Sequence, residues 1–174
     1  MFNSVVLSII SYLLGSKVVP SYGDFLKVGF KNYYISHIQT NWFVARDICQ
    51  QHNAELANIE SAEELDALST YLIEQGYEQG VNNYFWISLF DVGREPGHFY
   101  SITTGRPMTF ARWTPGQPDN FGGYEHCVHL WWTEKGYGMN DNDCLANLRA
   151  ICEEKKHLAI PPTFAIDNIE ENKP

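Results

Sequence analysis

Gln117-Pro118-Asp119-Asn120-Phe121-Gly122-Gly123-Tyr124-Glu125-His126-Cys127, followed downstream by Asn140-Asp141-Asn142-Asp143-Cys144, gathers oxygen-bearing side chains next to two cysteines. Gln117, Asp119 and Glu125 lie just before the first cysteine, and Asn140 and Asp141 lie just before the second. If Cys127 and Cys144 pair, the two groups meet. The set then has five oxygen-bearing side chains, three of them carboxylates, with no thiolate and no necessary imidazole. Hard oxygen donors of this kind suit Ca²⁺, which takes about 6–8 oxygen ligands. Pro118 adds a geometric reason. Neighbouring side chains of an extended segment point in different directions. A cis Gln117–Pro118 bond would bring both to one point, and cis bonds are essentially a proline feature, so this bond is predicted to be cis. Alone, Gln-Pro-Asp-Asn reads as a plain turn and Asn-Asp-Asn-Asp as a solvated loop. Their joint position beside the cysteines carries the metal reading.

The flanking sequence supplies the frame. Phe30 to Ser36, with Tyr33-Tyr34-Ile35, reads as a first strand. Trp42, Ala45, Ile48 and Cys49 recur at helical spacing, which predicts a helix from Trp42 to Asn53 capped by Thr40 or Asn41. Ser61-Ala62-Glu63-Glu64 reads as a capping box, opening a helix with Leu65, Leu68 and Leu72 on one face that ends at Gly76. Phe85 to Leu89 reads as a buried strand, Gly93 to Gly123 mostly as loop, and Cys127 to Trp131 and Ala150 to Cys152 as later strands. Two early helices followed by short strands and long loops make an α+β arrangement. A loop this long inside a compact domain is expected only where it carries function.

Bulk properties narrow the class. The chain has 174 residues, 44% of them hydrophobic, with five Trp, ten Tyr and ten Phe. That suits one globular domain with short ends. A net charge of −9 and no Lys/Arg run argue against nucleic acid or an anionic membrane surface as partner. The apolar run Val5 to Leu14, followed by Gly15 and Ser16, is too short to span a bilayer and reads as a cleaved secretory signal. The expected organisation is therefore 1–16 signal peptide, 17–155 domain and 156–174 flexible tail, in a secreted, extracellular protein without membrane insertion. Behind such a signal, four cysteines (Cys49, Cys127, Cys144, Cys152) read as two disulfides with three pairings open. Pairing Cys127 with Cys144 would close a loop worth roughly 3 kcal/mol. No Cys-x-x-Cys spacing supports a zinc ribbon. His126 and His129 fall on opposite faces of a strand and so do not share a metal.

These residues together resemble the C-type lectin-like domain, from about Tyr22 to Glu154. Trp86-Ile87-Ser88-Leu89 stands in the family's Trp-Ile-Gly-like strand, with Ser88 where Gly is usual. The resemblance implies an α+β C-type lectin fold: two helices flanking short antiparallel sheets, with a long calcium-binding loop. It implies the disulfides Cys49–Cys152 and Cys127–Cys144. It also implies a Ca²⁺ site built from Gln117, Asp119, Glu125, Asn140 and Asp141.

By the same resemblance, these five residues also bind the sugar, whose neighbouring hydroxyls complete the calcium shell. The Gln-Pro-Asp order is similar to that of binders of galactose or N-acetylgalactosamine, whereas Glu-Pro-Asn is similar to that of mannose binders. Phe121 stands where galactose binders place a stacking aromatic. Met139 replaces the Trp that commonly precedes Asn-Asp. Asn120 and His126 stand where a second calcium would require acids, with Asp91 left as a remnant of such a site. His126 is a candidate for pH-sensitive binding near the calcium.

The expected function is non-catalytic binding of glycans ending in galactose, in recognition, agglutination or innate immunity. The alternative is a C-type lectin-like fold that binds a protein or another non-sugar ligand. No Ser-His-Asp or Cys-His arrangement supports an enzyme. Weak single sites gain avidity from multivalency. Without a coiled-coil neck, that requires self-association, a partner, or many sugars on one surface.

Overall fold

The computed structural model of the protein describes residues 25–77 and 83–155. The signal peptide expected at 1–16 and the tail expected at 156–174 lie outside the described residues. Strands β1 (Leu26–Val28) and β2 (Lys31–Ile35) form a hairpin, followed by helix α1 (Trp42–Gln51) and strand β3 (Ala54–Leu56). Helix α2 (Ala62–Glu74) leads to β4 (Phe85–Phe90) and the short β5 (Tyr100–Ser101). Then come β6 (Glu125–Thr133), β7 (Gly136–Asp143) and β8 (Arg149–Glu154). The strands connect in the order β1-β2-β8-β4-β6-β7, with β3 also on β8 and β5 on β4. The α+β architecture is as expected, but the sheet is mixed: β4 and β8 run parallel, pairing Phe85 with Arg149 and Trp86 with Ala150.

Local signals set the helices. Asn41, not Thr40, caps α1 by accepting the amide of Val44, and Trp42, Ala45 and Cys49 form its buried face. Ser61 caps α2 by accepting the amide of Glu64. The Glu64 carboxylate reaches one residue further back than a standard capping box, to the amide of Glu60 at 3.0 Å. Leu65, Leu68 and Leu72 are buried, as their spacing predicts.

Two crossed tryptophan contacts lock the helical layer to the sheet. The indole N–H of Trp42 donates to the carbonyl of Ile87, and that of Trp86 donates to the carbonyl of Thr40. Both rings are fully buried, so these hydrogen bonds supply the partners a buried indole requires. The disulfide Cys49–Cys152 joins α1 to β8, and Cys127–Cys144 joins the start of β6 to the end of β7. Ser88 is buried; its hydroxyl donates to Asn58 and accepts from Ser101. Among the described residues no helix is long and apolar enough to cross a membrane.

A charged knot fastens β2, α2 and β8. The Lys31 ammonium lies 2.9 Å from Glu64 and 3.0 Å from Glu153, and donates to the carbonyl of Asn58 at 2.6 Å. The Tyr33 hydroxyl also donates to Glu64. Burial disfavours the Lys31 charge, but Glu153 and Glu64 outweigh it and hold its pKa above the ordinary lysine value. Removing this cation leaves two largely buried carboxylates without their counter-ion, a change that costs several kcal/mol. Lys31→Met is expected to lower stability by about 2–4 kcal/mol in urea unfolding with disulfides intact. A loss below about 0.5 kcal/mol would show the knot to be no stronger than a surface pair.

Candidate functional site

The β6–β7 hairpin is the base of the site. Its register places His129 opposite Asn140, Val128 opposite Asp141 and Cys127 opposite Asn142, with a bulge between Glu125 and Cys127. Asn140 and Asp141 therefore lie on a strand rather than in a solvated loop, and both are buried. The long loop is stitched onto β7: Met139 donates to the carbonyl of Arg112, and Thr114 donates back to Met139. A β-carbon on Gly138 would come within 2.8 Å of the Thr114 methyl, so only glycine permits this close crossing. Met139 is fully buried and bridges to Trp113.

Beyond this anchor the loop turns through Gly116 to a cis Gln117–Pro118 bond, as the sequence predicts. Asp119 and Asn120 both donate their backbone amides to the Asp141 carboxylate, at 3.1 and 2.8 Å. Asn120 adopts a left-handed conformation, and its side-chain oxygen accepts the amide of Glu125. Phe121 donates its amide to the Glu125 carboxylate at 3.1 Å. Gly122 has φ of +68°, and a β-carbon there would fall 2.2 Å from the Tyr124 ring. The tip is thus ordered by the same carboxylates that stand as candidate ligands.

All five oxygen-bearing residues converge. Carboxylate oxygens of Asp119, Glu125 and Asp141 lie within 4.8 Å of one another. The side-chain oxygens of Gln117 and Asn140 are buried yet have no hydrogen-bond partner. Burial raises the Glu125 pKa against the opposing hydrogen bond from Phe121, and repulsion from Asp141 and Asp119 raises it further. Crowded carboxylates beside buried, unpartnered amide oxygens call for a positive charge, and a set made only of oxygen fits Ca²⁺. Gln117, Asp119, Glu125 and Asn140 bound a cleft of about 320 Å³, at the small end of ligand clefts, and Phe121 lines it while 68% exposed.

His126, expected beside the calcium, lies elsewhere. His126 is held away from the cleft by Asp91, at 2.8 Å, and Asp91 also accepts the amide of Gly97. The carboxylate read as a remnant of a second metal site is thus engaged within the loop. His129 lines the cleft instead. Its Nδ1 meets the carbonyl of Leu130, so Nδ1 carries the proton and Nε2 is the acceptor that faces the Asn140 amide nitrogen at 3.0 Å. Burial pushes the His129 pKa down to about 4, consistent with this neutral form. The Asn140 nitrogen also donates to the carbonyl of Asp141. With its nitrogen held twice, Asn140 turns its oxygen to the site. Sequence reading missed this pairing because it depends on strand register. Tyr84 and Trp131, which also line the cleft, were missed for the same reason.

Losing a residue that orients a metal ligand costs about 10–100-fold in affinity. His129→Ala is therefore expected to weaken Ca²⁺ binding about tenfold, read by tryptophan-fluorescence titration. An unchanged midpoint would mean that Asn140 is held without it.

The chain is similar to known proteins in sequence and in fold. Residues 38–154 match the family model described as the lectin C-type domain. The chain is 41% identical over 128 residues to C-type lectin 37Db of Drosophila melanogaster, covering 74% of this chain and 80% of that one. It is 36% identical to salivary C-type lectin 2 of Aedes albopictus, covering 66% and 78%. Among solved structures, C-type lectin CEL-I from Cucumaria echinata superposes with a TM-score of 0.64 at 26% identity, covering 79% of this chain and 97% of that one. The mouse scavenger receptor C-type lectin carbohydrate-recognition domain superposes with a TM-score of 0.64 at 25% identity, with the same coverage.

Proposed function

This chain belongs to the C-type lectin domain family, and from that premise we propose that it binds glycans ending in galactose or N-acetylgalactosamine through a Ca²⁺ held by Gln117, Asp119, Glu125, Asn140 and Asp141. The observation that carries the reading is the convergence of three carboxylates within 4.8 Å with two buried, unpartnered amide oxygens. A bound Ca²⁺ supplies open coordination positions for two neighbouring sugar hydroxyls. The chain's own residues do the rest. The Gln117 amide donates to one hydroxyl and the Asp119 carboxylate accepts from the other, so their order reads the orientation of the hydroxyl pair. Phe121, exposed at the lip of the cleft, lies against the apolar face of the sugar. Binding without catalysis is the whole activity. The two disulfides support a secreted, extracellular location, where the protein would recognise glycan-bearing surfaces.

Three measurements test this. Retention on galactose beads in Ca²⁺, with elution by either chelator or galactose, is expected; failure to bind any glycan of a broad array with Ca²⁺ present would favour a non-sugar ligand. Gln117→Glu with Asp119→Asn should shift preference from galactose toward mannose, and an unmoved preference would remove the tripeptide as the determinant. Phe121→Ala should weaken galactose severalfold while leaving the Ca²⁺ midpoint within twofold; equal losses in both would make Phe121 a structural residue of the loop.

A further inference from the structure

We infer that Asp91 is a positioning residue for the Ca²⁺ site: from outside the cleft it grips His126, the extra residue of the β6 bulge, and so sets where Glu125 stands. The inference rests on the Ca²⁺ site proposed above and adds to it a residue that is not among its candidate ligands.

The pairing of β6 with β7 shows what the bulge does. From Cys127 to Thr133 the register runs unbroken, starting with Cys127 opposite Asn142. Carried on without a bulge, it would put Glu125 opposite Cys144. Glu125 instead stands opposite Asp143, so one residue, His126, is in excess. The bulge therefore moves Glu125 one position along β7, roughly 3.3 Å. Ca²⁺ ligand distances span only about 2.3–2.6 Å. A shift of one position thus decides whether the Glu125 carboxylate joins those of Asp119 and Asp141, as it does here.

The extra residue of a bulge has no ladder partner on the opposing strand and is held by other contacts. Strand β6 lies between β7 and β4, and the hold on His126 comes from the β4 side. Asp91 directly follows β4, whose last residue, Phe90, pairs with Cys127. The Asp91 amide donates to the His126 carbonyl at 3.0 Å. Its carboxylate meets His126 Nδ1 at 2.8 Å. That oxygen can only accept, so Nδ1 carries the proton. Backbone and side chain of one residue grip backbone and side chain of the other.

Asp91 is itself fixed. Its second carboxylate oxygen accepts the Gly97 amide at 2.6 Å, and its carbonyl accepts the Arg94 amide at 2.8 Å. Arg94 in turn lies over the ring of Tyr100 on β5, 3.8 Å from its centre. Asp91 is 1% exposed, with both carboxylate oxygens committed to these contacts. Neither Asp91 nor His126 lines the cleft. Glu125 carries their effect onward: its amide donates to the Asn120 side chain, and its carboxylate accepts the Phe121 amide. A Glu125 that slips along β7 loses both contacts, and that loss can be read without any cation.

The test takes two readings on the full chain: the Ca²⁺ midpoint from tryptophan fluorescence, and amide exchange by NMR in the absence of Ca²⁺. Asp91→Ala is expected to raise the midpoint at least fivefold, near the loss of about 10–100-fold seen when a metal ligand loses its orienting partner. It should also speed exchange of the Phe121 and Glu125 amides at least fivefold. The Thr114 and Met139 amides, which join the long loop to β7 elsewhere, should stay within twofold; a general loss of stability would move all four. Asp91→Asn should keep both readings within threefold of native. Asparagine retains an oxygen for Gly97, and its amide donates to His126 Nδ1 once the ring proton sits on Nε2. His126→Ala should raise the midpoint at least twofold. Added to Asp91→Ala it should cost less than a further twofold, because both changes open one clasp.

The inference is overturned if Asp91→Ala raises the midpoint less than fivefold, if Asp91→Asn is as harmful as Asp91→Ala, if the Phe121 and Glu125 amides keep their native exchange, or if the two single losses multiply in the double variant. Should Asp91→Ala fail to fold, His126→Ala decides, its side chain being 30% exposed; a midpoint moved less than twofold then overturns the inference. A native chain that binds no Ca²⁺ overturns instead the function on which it rests.

Discussion

The Asp141 carboxylate serves the loop and the site at once. Its two oxygens accept the amides of Asp119 and Asn120, which fixes the loop tip on β7. The same group stands within 4.8 Å of the Asp119 and Glu125 carboxylates. Asp141 is itself placed by the β6–β7 register, which the Cys127–Cys144 bridge closes at its open end. The like charge that adds to burial in raising the Glu125 pKa is therefore built into the ordering of the loop. The loop cannot fold onto Asp141 without bringing the Asp119 and Glu125 carboxylates close to it. Under the proposed function, cation binding and loop order would be one equilibrium, in which each stabilises the other.

How much of this the sequence discloses depends on how local the cause is. Helix α2 is legible almost whole, because Ser61, Glu64 and the Leu65–Leu68–Leu72 face act within a few turns. Helix α1 is legible to within two residues of its end. The first strand reads too long, since Phe30 is fully exposed in the turn that joins β1 to β2. Strands β1, β3 and β5 have three residues or fewer, too short to show a period. Strand β7 hides for another reason. Its polar run, Asn140 to Asp143, follows no alternation because two of those side chains are buried for the site rather than for the core.

The candidate ligands are legible because Ca²⁺ chemistry demands oxygen donors, and residue type alone reveals those. Their supports are not. Nothing in Cys127-Val128-His129 states that His129 faces Asn140; that follows from pairing two strands at a register only folding reveals. His126, with the same side chain three residues earlier, is turned to Asp91. A bulge between Glu125 and Cys127 helps set which histidine faces the cleft, and bulges leave little trace in a single sequence.

This division between rigid and variable parts bears on how selectivity can change. Glu125, Asn140 and Asp141 come from paired strands, and Asn140 and Asp141 are each held by at least two hydrogen bonds. Altering them would disturb the loop and the hairpin together. Gln117 and Asp119 come from the loop, and neither side chain anchors the sheet. Exchanging acid for amide at those two positions keeps the number of oxygen donors and the net charge. It reverses the order of hydrogen-bond donors and acceptors offered at the cleft while leaving Asp141 to hold the backbone. Phe121 at the lip is equally free of the frame. If the fold binds sugar as proposed, its selectivity can change through a few loop residues, with the candidate ligands on the strands and their supports left alone.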